Sequence, residues 1–267
     1  MADKKRLDLL VLERGLVESR EKAKALILAG KILVNGERIT KASKLVPENS
    51  QLELLEEPKY VSRGGYKLES AFDRFKINVS GKVACDIGAS TGGFTDFLLK
   101  NGARKVFAVD VGYGQLHWKL RNDPRVVVME RVNARYLRWE DLGEKVDLVT
   151  CDVSFISVKK ILPTIHDILK DQGDAIVLVK PQFEAPRRFV KKGVVKDPEV
   201  HVKVLVDVQR SLIDNGFIVK DCWFSKIKGA EGNMEFFFWV RKEGKSQSVD
   251  FRKVVEEAWK FFREMKS

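Results

Sequence analysis

The sequence contains few of the residues that form disulfides or bind metals. It has three cysteines and three histidines among 267 residues. Cys85, Cys151 and Cys222 are far apart and lie in or beside apolar runs, which favours reduced, buried thiols in a cytoplasmic protein. The histidines lack the spacing that is typical of metal ligands, so we expect no bound metal.

Long apolar runs are also absent. No run approaches the length of a membrane-spanning helix, and no signal-peptide core follows the lysine-rich start. We therefore expect no association with membranes. Basic residues, by contrast, are abundant: 49 Lys and Arg against 38 Asp and Glu give a formal net charge of +11. This balance favours a polyanionic partner.

A glycine-rich stretch from Val83 to Asp96 organises the rest of the chain. It predicts a buried strand that ends at Asp86, then a tight turn and a helix that Ser90 or Thr91 caps. Open α/β sheets bind ligands at such turns, because glycine permits close approach and the helix N-terminus offers free amides. The candidate contacts in this stretch are Asp86, Gly88, Ser90, Thr91, Gly92, Gly93 and Phe94.

A second predicted strand, residues 105–109, runs into Asp110. An acid about twenty residues beyond the glycines can bind both hydroxyls of a ribose, as in dinucleotide or S-adenosylmethionine sites. Two details favour S-adenosylmethionine over NAD. Asp86 could neutralise the cationic amino acid moiety of the methyl donor, and the loop lacks the G-x-G-x-x-G order that seats a pyrophosphate.

Residues 1–58 form a predicted unit of their own. A helix begins near Leu7, a second follows Ser19 as its N-cap, and a strand over 32–34 enters a hairpin at Asn35-Gly36, with the return strand starting at Ile39. Residues 1–47 carry eleven basic and six acidic residues. Such a charge run is often only a solvated face. The order of these residues, however, closely resembles the S4 RNA-binding domain, which implies contact with structured RNA through Arg6, Arg20, Lys24 and Lys31.

A charged linker over residues 56–60 leads into a second predicted domain, residues 59–267. Strands alternate with helices here, including a predicted helix over roughly residues 201–215. This alternation predicts an α/β, doubly wound, Rossmann-like sheet. The late strands near 222–224 and 235–240 are expected to be antiparallel. The fold class is therefore a methyltransferase-like α/β domain preceded by a small α+β S4-like domain.

Four charged residues are candidates for catalysis. Two further strands are predicted over residues 146–151 and 175–179. Asp152 and Lys180 directly follow them, so both point towards the crevice that holds the ligand. Glu235 opens an apolar strand, where an acid is costly unless it is paired. Together with Lys67 these residues could form a network of two cations and two anions, although Asp152 and Lys180 could equally form a structural ion pair.

Several segments together resemble the TlyA family, also called haemolysin A, in which an S4 domain precedes an FtsJ-type methyltransferase domain. The segments that carry the resemblance are residues 62–67, 86–95, 110–115, 152–157, 179–184 and 232–235. It implies 2′-O-methylation of a cytidine in 16S or 23S ribosomal RNA, with Lys67, Asp152, Lys180 and Glu235 as the catalytic tetrad. It also implies Val111, Asn133 and Asp152 as further cofactor contacts. The linker departs from the family, since Tyr60 stands where some members have tryptophan.

Other functions and roles remain open at this level. The fold could serve a non-catalytic RNA-binding or ribosome-assembly factor, or, as the family name suggests, a membrane-lytic haemolysin. Lys180 could accept the proton of the ribose hydroxyl or position that hydroxyl. Arg63 is a candidate RNA contact, and so are Arg187 and Arg188 in a basic loop over residues 185–196. We expect a monomer.

Overall fold

The computed structural model describes residues 3–55 and 58–265. The chain divides into two compact units, Met1–Lys59 and Tyr60–Ser267, and each unit has hydrophobic clusters of its own. Of the predicted linker, Glu56 and Glu57 lie outside the described residues. Within the described residues, no helix is long and apolar enough to cross a membrane.

The N-terminal unit packs two helices against short strands. Its elements are β1 (Lys4–Arg6), α1 (Leu7–Glu13), α2 (Arg20–Leu28), β2 (Ile32–Val34), β3 (Glu37–Arg38), β4 (Leu45–Pro47) and β5 (Leu52–Leu54). Strand β2 pairs antiparallel with β3 and β5, and β1 pairs antiparallel with β4. The core contains apolar residues from both helices and from β2, including Leu7, Ile27 and Ile32.

The local signals of this unit act mostly as expected. The Ser19 hydroxyl accepts a hydrogen bond from the Lys22 amide at 3.2 Å and caps α2. Asn35 and Gly36 take φ values of +50° and +80°, as a tight hairpin turn requires. The return strand begins at Glu37 and not at Ile39, because a two-residue turn leaves Glu37 directly opposite Val34. Strands β1 and β4 were not predicted, since three residues of mixed polarity carry no clear alternation.

The C-terminal unit is built on one seven-stranded sheet. Its strands are β6 (Val83–Ile87), β7 (Lys105–Asp110), β8 (Val126–Glu130), β9 (Val146–Cys151), β10 (Leu169–Val179), β11 (Ile218–Phe224) and β12 (Phe236–Arg241). The order across the sheet is β11-β12-β10-β9-β6-β7-β8. The five strands from β10 to β8 are parallel, and β12 runs antiparallel to both of its neighbours. This arrangement confirms the predicted fold class.

Helices cover both faces of the sheet. They are α3 (Arg63–Phe75), α4 (Gly93–Lys100), α5 (Trp118–Arg121), α6 (Trp139–Leu142), α7 (Leu162–Ile168), α8 (Pro181–Glu184), α9 (Pro198–Asp214) and α10 (Phe251–Glu264). Helices α3 and α4 pack on one face, and α7, α9 and α10 pack on the other. Phe236 and Phe238 of β12 belong to one core cluster and Phe237 to the other. Burial on both faces explains why this strand is continuously apolar.

The direction of the chain through the sheet locates the ligand crevice. From β6 the chain moves outward through β7 and β8, and it then returns to place β9 on the other side of β6. The strand order therefore reverses at β6. In open α/β sheets, ligands bind at the carboxyl ends of the strands beside such a reversal.

Some element boundaries differ from the sequence predictions. Strand β10 begins at Leu169 with an irregular pairing before Asp174, although only residues 175–179 were predicted. Helix α9 begins at Pro198, where the Asp197 side chain accepts a hydrogen bond from the Glu199 amide. The prediction started this helix at His201. In both cases the added residues lack a clear hydrophobic period, and neighbouring backbone or a cap decides the boundary.

Candidate active site

The glycine-rich turn follows β6 at the reversal of the strand order. Gly88 has a φ of +84°, and a Cβ on it would lie 2.3 Å from the backbone oxygen of Asp152. Only glycine therefore allows this turn to pack against the loop that follows β9. Gly92, with a φ of +93°, occupies the N-cap position of α4, so no side chain caps this helix. The prediction that Ser90 or Thr91 caps this helix is wrong.

Ser90 instead contacts the acid at the end of β7. With a φ of +48°, its backbone amide donates to Asp110 Oδ2 at 2.8 Å. The Gly112 amide donates to Asp110 Oδ1 at 2.7 Å. Each carboxylate oxygen thus accepts one amide and keeps a lone pair for a second donor. The carboxylate is consequently held in a fixed orientation at the edge of the site.

Two neighbouring cavities lie along the carboxyl ends of these strands. The larger, about 510 Å³, is lined by residues from the ends of β6, β7, β8 and β9. The smaller, about 170 Å³, lies between the glycine-rich turn, the start of α3 and the loop before β12. Gly88, Ser90 and Asp152 line both cavities. The two cavities therefore meet at Asp152.

The predicted cofactor contacts divide between the two cavities. Asp110, Val111 and Asn133 line the larger cavity, and Thr91, Gly93 and Phe94 line the smaller one. Asp86 lines neither of these two. It is fully buried beneath the turn, where it accepts hydrogen bonds from Thr95 Oγ1 at 2.7 Å and Thr150 Oγ1 at 3.0 Å.

Burial governs the ionisation of Asp86. Removal from water raises the pKa of its carboxyl to about 7, although the hydroxyls of Thr95 and Thr150 oppose this shift. No salt bridge to Asp86 occurs among the described residues. Burial therefore favours the neutral form of this carboxyl at pH values where an exposed aspartate is ionised.

The four tetrad candidates form two lysine–carboxylate pairs. Lys67 Nζ lies 2.7 Å from Glu235 Oε2, and Lys180 Nζ lies 2.5 Å from Asp152 Oδ1. Glu235 is 2% exposed, and burial raises its pKa although Lys67 opposes that shift. Lys67 and Asp152 both line the smaller cavity. The structure thus brings both pairs to the same cavity.

The pairs keep unused hydrogen-bonding capacity. Asp152 Oδ1 and Glu235 Oε2 are buried, and among the described residues neither accepts a hydrogen bond from a group other than its lysine. Lys180 Nζ also donates to Ser154 Oγ at 2.8 Å. Lys180 is thus held from two sides by residues of the loop after β9. Ser154 was not predicted as a site residue.

Asn233 connects the basic loop to the segment that leads through Glu235 into β12. This side chain is 2% exposed. Its Nδ2 donates to the Gly193 carbonyl at 2.8 Å, and its Oδ1 accepts from the Val195 amide at 3.2 Å. The Asn233 side-chain amide thus satisfies one donor and one acceptor of the loop backbone. These two hydrogen bonds fix residues 193–195 to the segment that contains Asn233.

The remaining predicted RNA contacts in the C-terminal unit are at the surface. Arg63, Arg187 and Arg188 are exposed. The Arg63 guanidinium donates to the Lys228 carbonyl at 2.7 Å, at the rim of the smaller cavity. Arg187 and Arg188 lie on a single 3-10 turn in the basic loop. The loop therefore presents its cations to solvent.

Two of the predicted RNA contacts in the N-terminal unit share one buried acid. Asp8 has no exposed surface, and its carboxylate accepts both Nε and Nη2 of Arg6 at 3.0 Å and Nε of Arg20 at 3.0 Å. Hydrogen bonds from the two guanidinium groups hold the pKa of Asp8 down at about 2. Lys24 is exposed and Lys31 is half-buried. Asp8 thereby orients Arg6 and Arg20 at the surface.

Known proteins match both units of the chain. Residues 60–242 match the family model of the FtsJ-like methyltransferases, and residues 5–52 match that of the S4 domain. The 16S/23S rRNA (cytidine-2′-O)-methyltransferase TlyA of Mycobacterium tuberculosis is 44% identical over 91% of this chain and 92% of its own. The chain belongs to the TlyA family of FtsJ-like methyltransferases.

Further relatives span the whole chain. A Bacillus subtilis protein with the provisional name of rRNA methyltransferase is 46% identical over 99% of this chain and 97% of its own. A solved structure from Streptococcus thermophilus, provisionally named a hemolysin, has a TM-score of 0.76 and 42% identity, with coverage of 100% of this chain and 99% of that one. The similarity therefore covers the two units together.

Several residues around the two cavities were not predicted from the sequence. The larger cavity is also lined by Gln115, Val132, Ala134, Ile156 and Ile161, and the smaller by Ser62, Lys228 and Gly229. Gln115 accepts a hydrogen bond from Ser90 Oγ at 3.3 Å. Apolar wall residues resemble core residues in sequence, so only their position in the fold distinguishes them. Ser154 could have been predicted from the sequence, because it stands two residues after Asp152.

Proposed function

We propose that this protein transfers a methyl group from S-adenosylmethionine to the ribose 2′-hydroxyl of a cytidine in ribosomal RNA. The observation that carries the proposal is the convergence of the Lys180–Asp152 and Lys67–Glu235 pairs on a cavity that adjoins the larger one. The family and the activity for which the Mycobacterium tuberculosis relative is named support the same reaction.

The larger cavity suits the adenosine part of the methyl donor. Its walls are largely apolar, with Val111, Val132 and Ile156 among them, as a purine ring requires. The fixed carboxylate of Asp110 keeps acceptor capacity for the hydroxyls of a ribose. Among the described residues no group of His, Cys, Asp and Glu is arranged to hold a metal.

The smaller cavity suits the reacting end. When bound, S-adenosylmethionine would supply an electrophilic methyl carbon on a cationic sulfonium. A ribose hydroxyl is a poor nucleophile at neutral pH, so the protein must orient it and assist the loss of its proton. Lys180 is the candidate for this task, since its ammonium is fixed by Asp152 and Ser154 beside the junction of the cavities.

The two lysine pairs would divide this work. Lys180 stabilises negative charge that develops on the ribose oxygen, or accepts its proton once the lysine itself has lost one. Asp152 and Ser154 keep Lys180 in place, and Lys67, which pairs with Glu235, lines the same cavity as Asp152. Buried oxygens of Asp152 and Glu235 retain capacity for the hydroxyl groups of a sugar.

The N-terminal unit would supply the docking surface for structured RNA. Arg6 and Arg20, which Asp8 orients, and the exposed Lys24 are placed to contact phosphates. Exposed cations in the basic loop would add contacts nearer the reacting nucleotide. That the protein acts as a monomer in the cytoplasm remains a prediction from the sequence.

The reaction can be tested with methyl-labelled S-adenosylmethionine. Small and large ribosomal subunits from cells without this activity are incubated separately with the wild-type protein and with Lys180→Ala, and the labelled nucleotide is mapped. We expect wild-type protein to label the 2′-oxygen of a cytidine, and Lys180→Ala to bind the same subunits without labelling them. Binding without labelling by the wild-type protein would support the non-catalytic assembly factor. Label on a base would exclude the ribose reaction.

A further inference from the structure

Four aromatic rings of the C-terminal unit are strongly exposed. Phe155 is 92% exposed, Tyr136 69%, Tyr113 68% and Trp118 65%. Among the described residues, every other aromatic ring is at most 38% exposed. All four rings lie in segments that follow the carboxyl ends of β7, β8 and β9. Large exposed rings grouped at one edge indicate an interaction surface.

Three of these rings carry a cation beside them. The Arg131 guanidinium carbon lies 4.3 Å from the centre of the Tyr113 ring, and that of Arg135 lies 5.6 Å from the centre of Tyr136. Lys119 Nζ lies 5.9 Å from the centre of Trp118. Phe155 packs against the ring of Phe183 instead, with the centres 5.3 Å apart.

The cations on these rings are also the ones that lack acidic partners. Residues 111–138 contain six basic residues. Three of them pair with carboxylates: Arg121 with Glu130, Arg125 with Asp123 and Arg138 with Asp167. Within the described residues, Lys119, Arg131 and Arg135 form no salt bridge. Their charge is therefore available to an anionic partner.

The segments that carry these pairs are already ordered. The Arg131 amide donates to the Gly112 carbonyl at 3.0 Å, and the Gly114 amide donates to Glu130 Oε1 at 2.8 Å. These contacts hold the loop after β7 on the end of β8. Arg135 and Val111 also line the larger cavity, so the rings border the candidate active site.

We propose that these three ring–cation pairs, here called the aromatic rim, bind unpaired nucleotides of the RNA substrate that flank the target nucleotide. The rim consists of Tyr113–Arg131, Trp118–Lys119 and Tyr136–Arg135. This inference rests on the proposed function and identifies the kind of RNA that the site accepts. Bases stack on the exposed rings, and the adjacent cations contact the phosphates.

The chemistry of the rim favours unpaired RNA over the other polyanions. A duplex exposes phosphates but hides the faces of its bases, so it would use the cations and leave the rings unused. Single-stranded RNA offers both groups along one strand. An acidic protein would satisfy the cations, but it carries no series of flat rings that matches three separate platforms.

The test compares variants that remove the rings with variants that keep them. The ring-removing protein carries Trp118→Leu and Tyr136→Leu, and its matched control carries Trp118→Phe and Tyr136→Phe. Binding of the full-length proteins to a single-stranded RNA and to a duplex of the same length is measured by fluorescence anisotropy. We expect the leucine protein to lose roughly tenfold in affinity for the single strand, as the loss of base stacking predicts. The phenylalanine protein should stay close to wild type.

Charge is tested separately from stacking. Arg131→Gln should remove about one phosphate contact. The slope of log affinity against log salt concentration should therefore become shallower by about one. Equal single-strand affinities of the leucine and wild-type proteins would overturn the proposal. It would also be overturned if the leucine protein lost as much affinity for the duplex as for the single strand, because the surface would then read charge alone.

Methylation of ribosomal subunits separates this inference from the proposed function. Suppose that wild-type protein methylates RNA and that the leucine protein reaches half-saturation at the same RNA concentration as wild type. The proposed role of the aromatic rim would then be wrong, and the proposed methyl transfer would stand. If wild-type protein transfers no methyl group but the leucine protein still loses single-strand affinity, the proposed reaction is wrong and the rim stands as an RNA-binding surface.

Discussion

A buried carboxylate has different hydrogen-bond partners in the two units. Asp8 in the N-terminal unit and Asp86 in the C-terminal unit both have no exposed surface. Asp8 accepts from two arginines, which lower its pKa to about 2, whereas Asp86 accepts from two threonine hydroxyls and has a pKa of about 7. Charged partners therefore set the pKa of Asp8, whereas removal from water sets that of Asp86, whose partners are neutral hydroxyls.

The difference corresponds to the two proposed tasks. Asp8 remains ionised at any physiological pH, and it organises surface cations for docking. In the C-terminal unit, Asp152 and Glu235 each face one lysine at a cavity, which suits a site where charge must respond to a reaction. Asp86 has no cation among the described residues, so a cationic ligand above the turn would favour its ionised form.

The largest expected effect on methyl transfer comes from removing a cation of the two lysine–carboxylate pairs proposed to act in catalysis. Lys180→Ala should lower the rate of methyl transfer on the order of a hundredfold or more, the usual effect of losing a positioned acid–base or electrostatic group. The measurement is single-turnover methylation with saturating RNA and methyl donor. Lys180→Arg should fail as well, because guanidinium keeps the charge but differs in shape and does not give up its proton.

Binding measurements on the same variant serve as its control. Affinity for S-adenosylmethionine, measured by calorimetry, and affinity for RNA should remain near wild type. A transfer rate within about threefold of wild type, well short of the expected loss, would make the Lys180–Asp152 pair structural.

The next effect tests the docking side of the comparison. Asp8→Asn removes the charge that orients Arg6 and Arg20 but keeps the size of the side chain. We expect the RNA concentration for half-maximal methylation to rise about tenfold, since charge-assisted contacts are lost. Glu18→Gln is the matched control, because Glu18 is 90% exposed and its one ion pair within the described part of the chain is with Lys22, at 3.7 Å. Equal values for the two variants would contradict the role of Asp8.

The pH dependence of folding tests Asp86 directly. A carboxyl whose pKa is higher in the folded than in the unfolded chain binds protons on folding. Its contribution to stability is therefore complete below the unfolded value near 3.8 and is lost as the pH rises through about 7. The shift corresponds to on the order of 4 kcal/mol between pH 4 and pH 8.

Asp86→Asn should remove this slope. Urea unfolding followed by tryptophan fluorescence reports on the C-terminal unit, because all five tryptophans lie beyond residue 60. The free energy of unfolding of wild type minus that of the variant should fall as the pH rises from 4 to 8. A difference that stays constant over this range would show that Asp86 is ionised throughout.

The smallest expected effect concerns the basic loop. Asn233→Asp keeps the acceptor for the Val195 amide but replaces the donor to the Gly193 carbonyl with a second oxygen. The loop should loosen, and the RNA concentration for half-saturation should rise about threefold, as expected for one lost hydrogen bond. Asn215→Asp is the control, since Asn215 donates to the Ser211 carbonyl at the end of α9. Equal shifts would show that the loop attachment has no part in RNA binding.

The sequence predicted the architecture because its strongest signals are local. The strand over residues 146–151 was predicted with the bounds that the structure has, since it is short, apolar and ends at a charged residue. Ser19 and the Asn35-Gly36 turn acted as their chemistry requires. The predicted cap of α4 was wrong, because the Ser90 amide donates to Asp110, a residue that is distant in sequence.

The amino-acid sequence by itself thus determined the order of the elements, the α/β class, the basic character and the residue types at the strand ends. The division of the predicted contacts between two cavities depended on the fold, and so did the pairing of Lys180 with Ser154 and the burial of Asp86. Backbone propensity and hydrophobic period act over a few residues. Side-chain partners, solvent access and pKa values depend on atoms that only the folded chain brings within hydrogen-bonding distance.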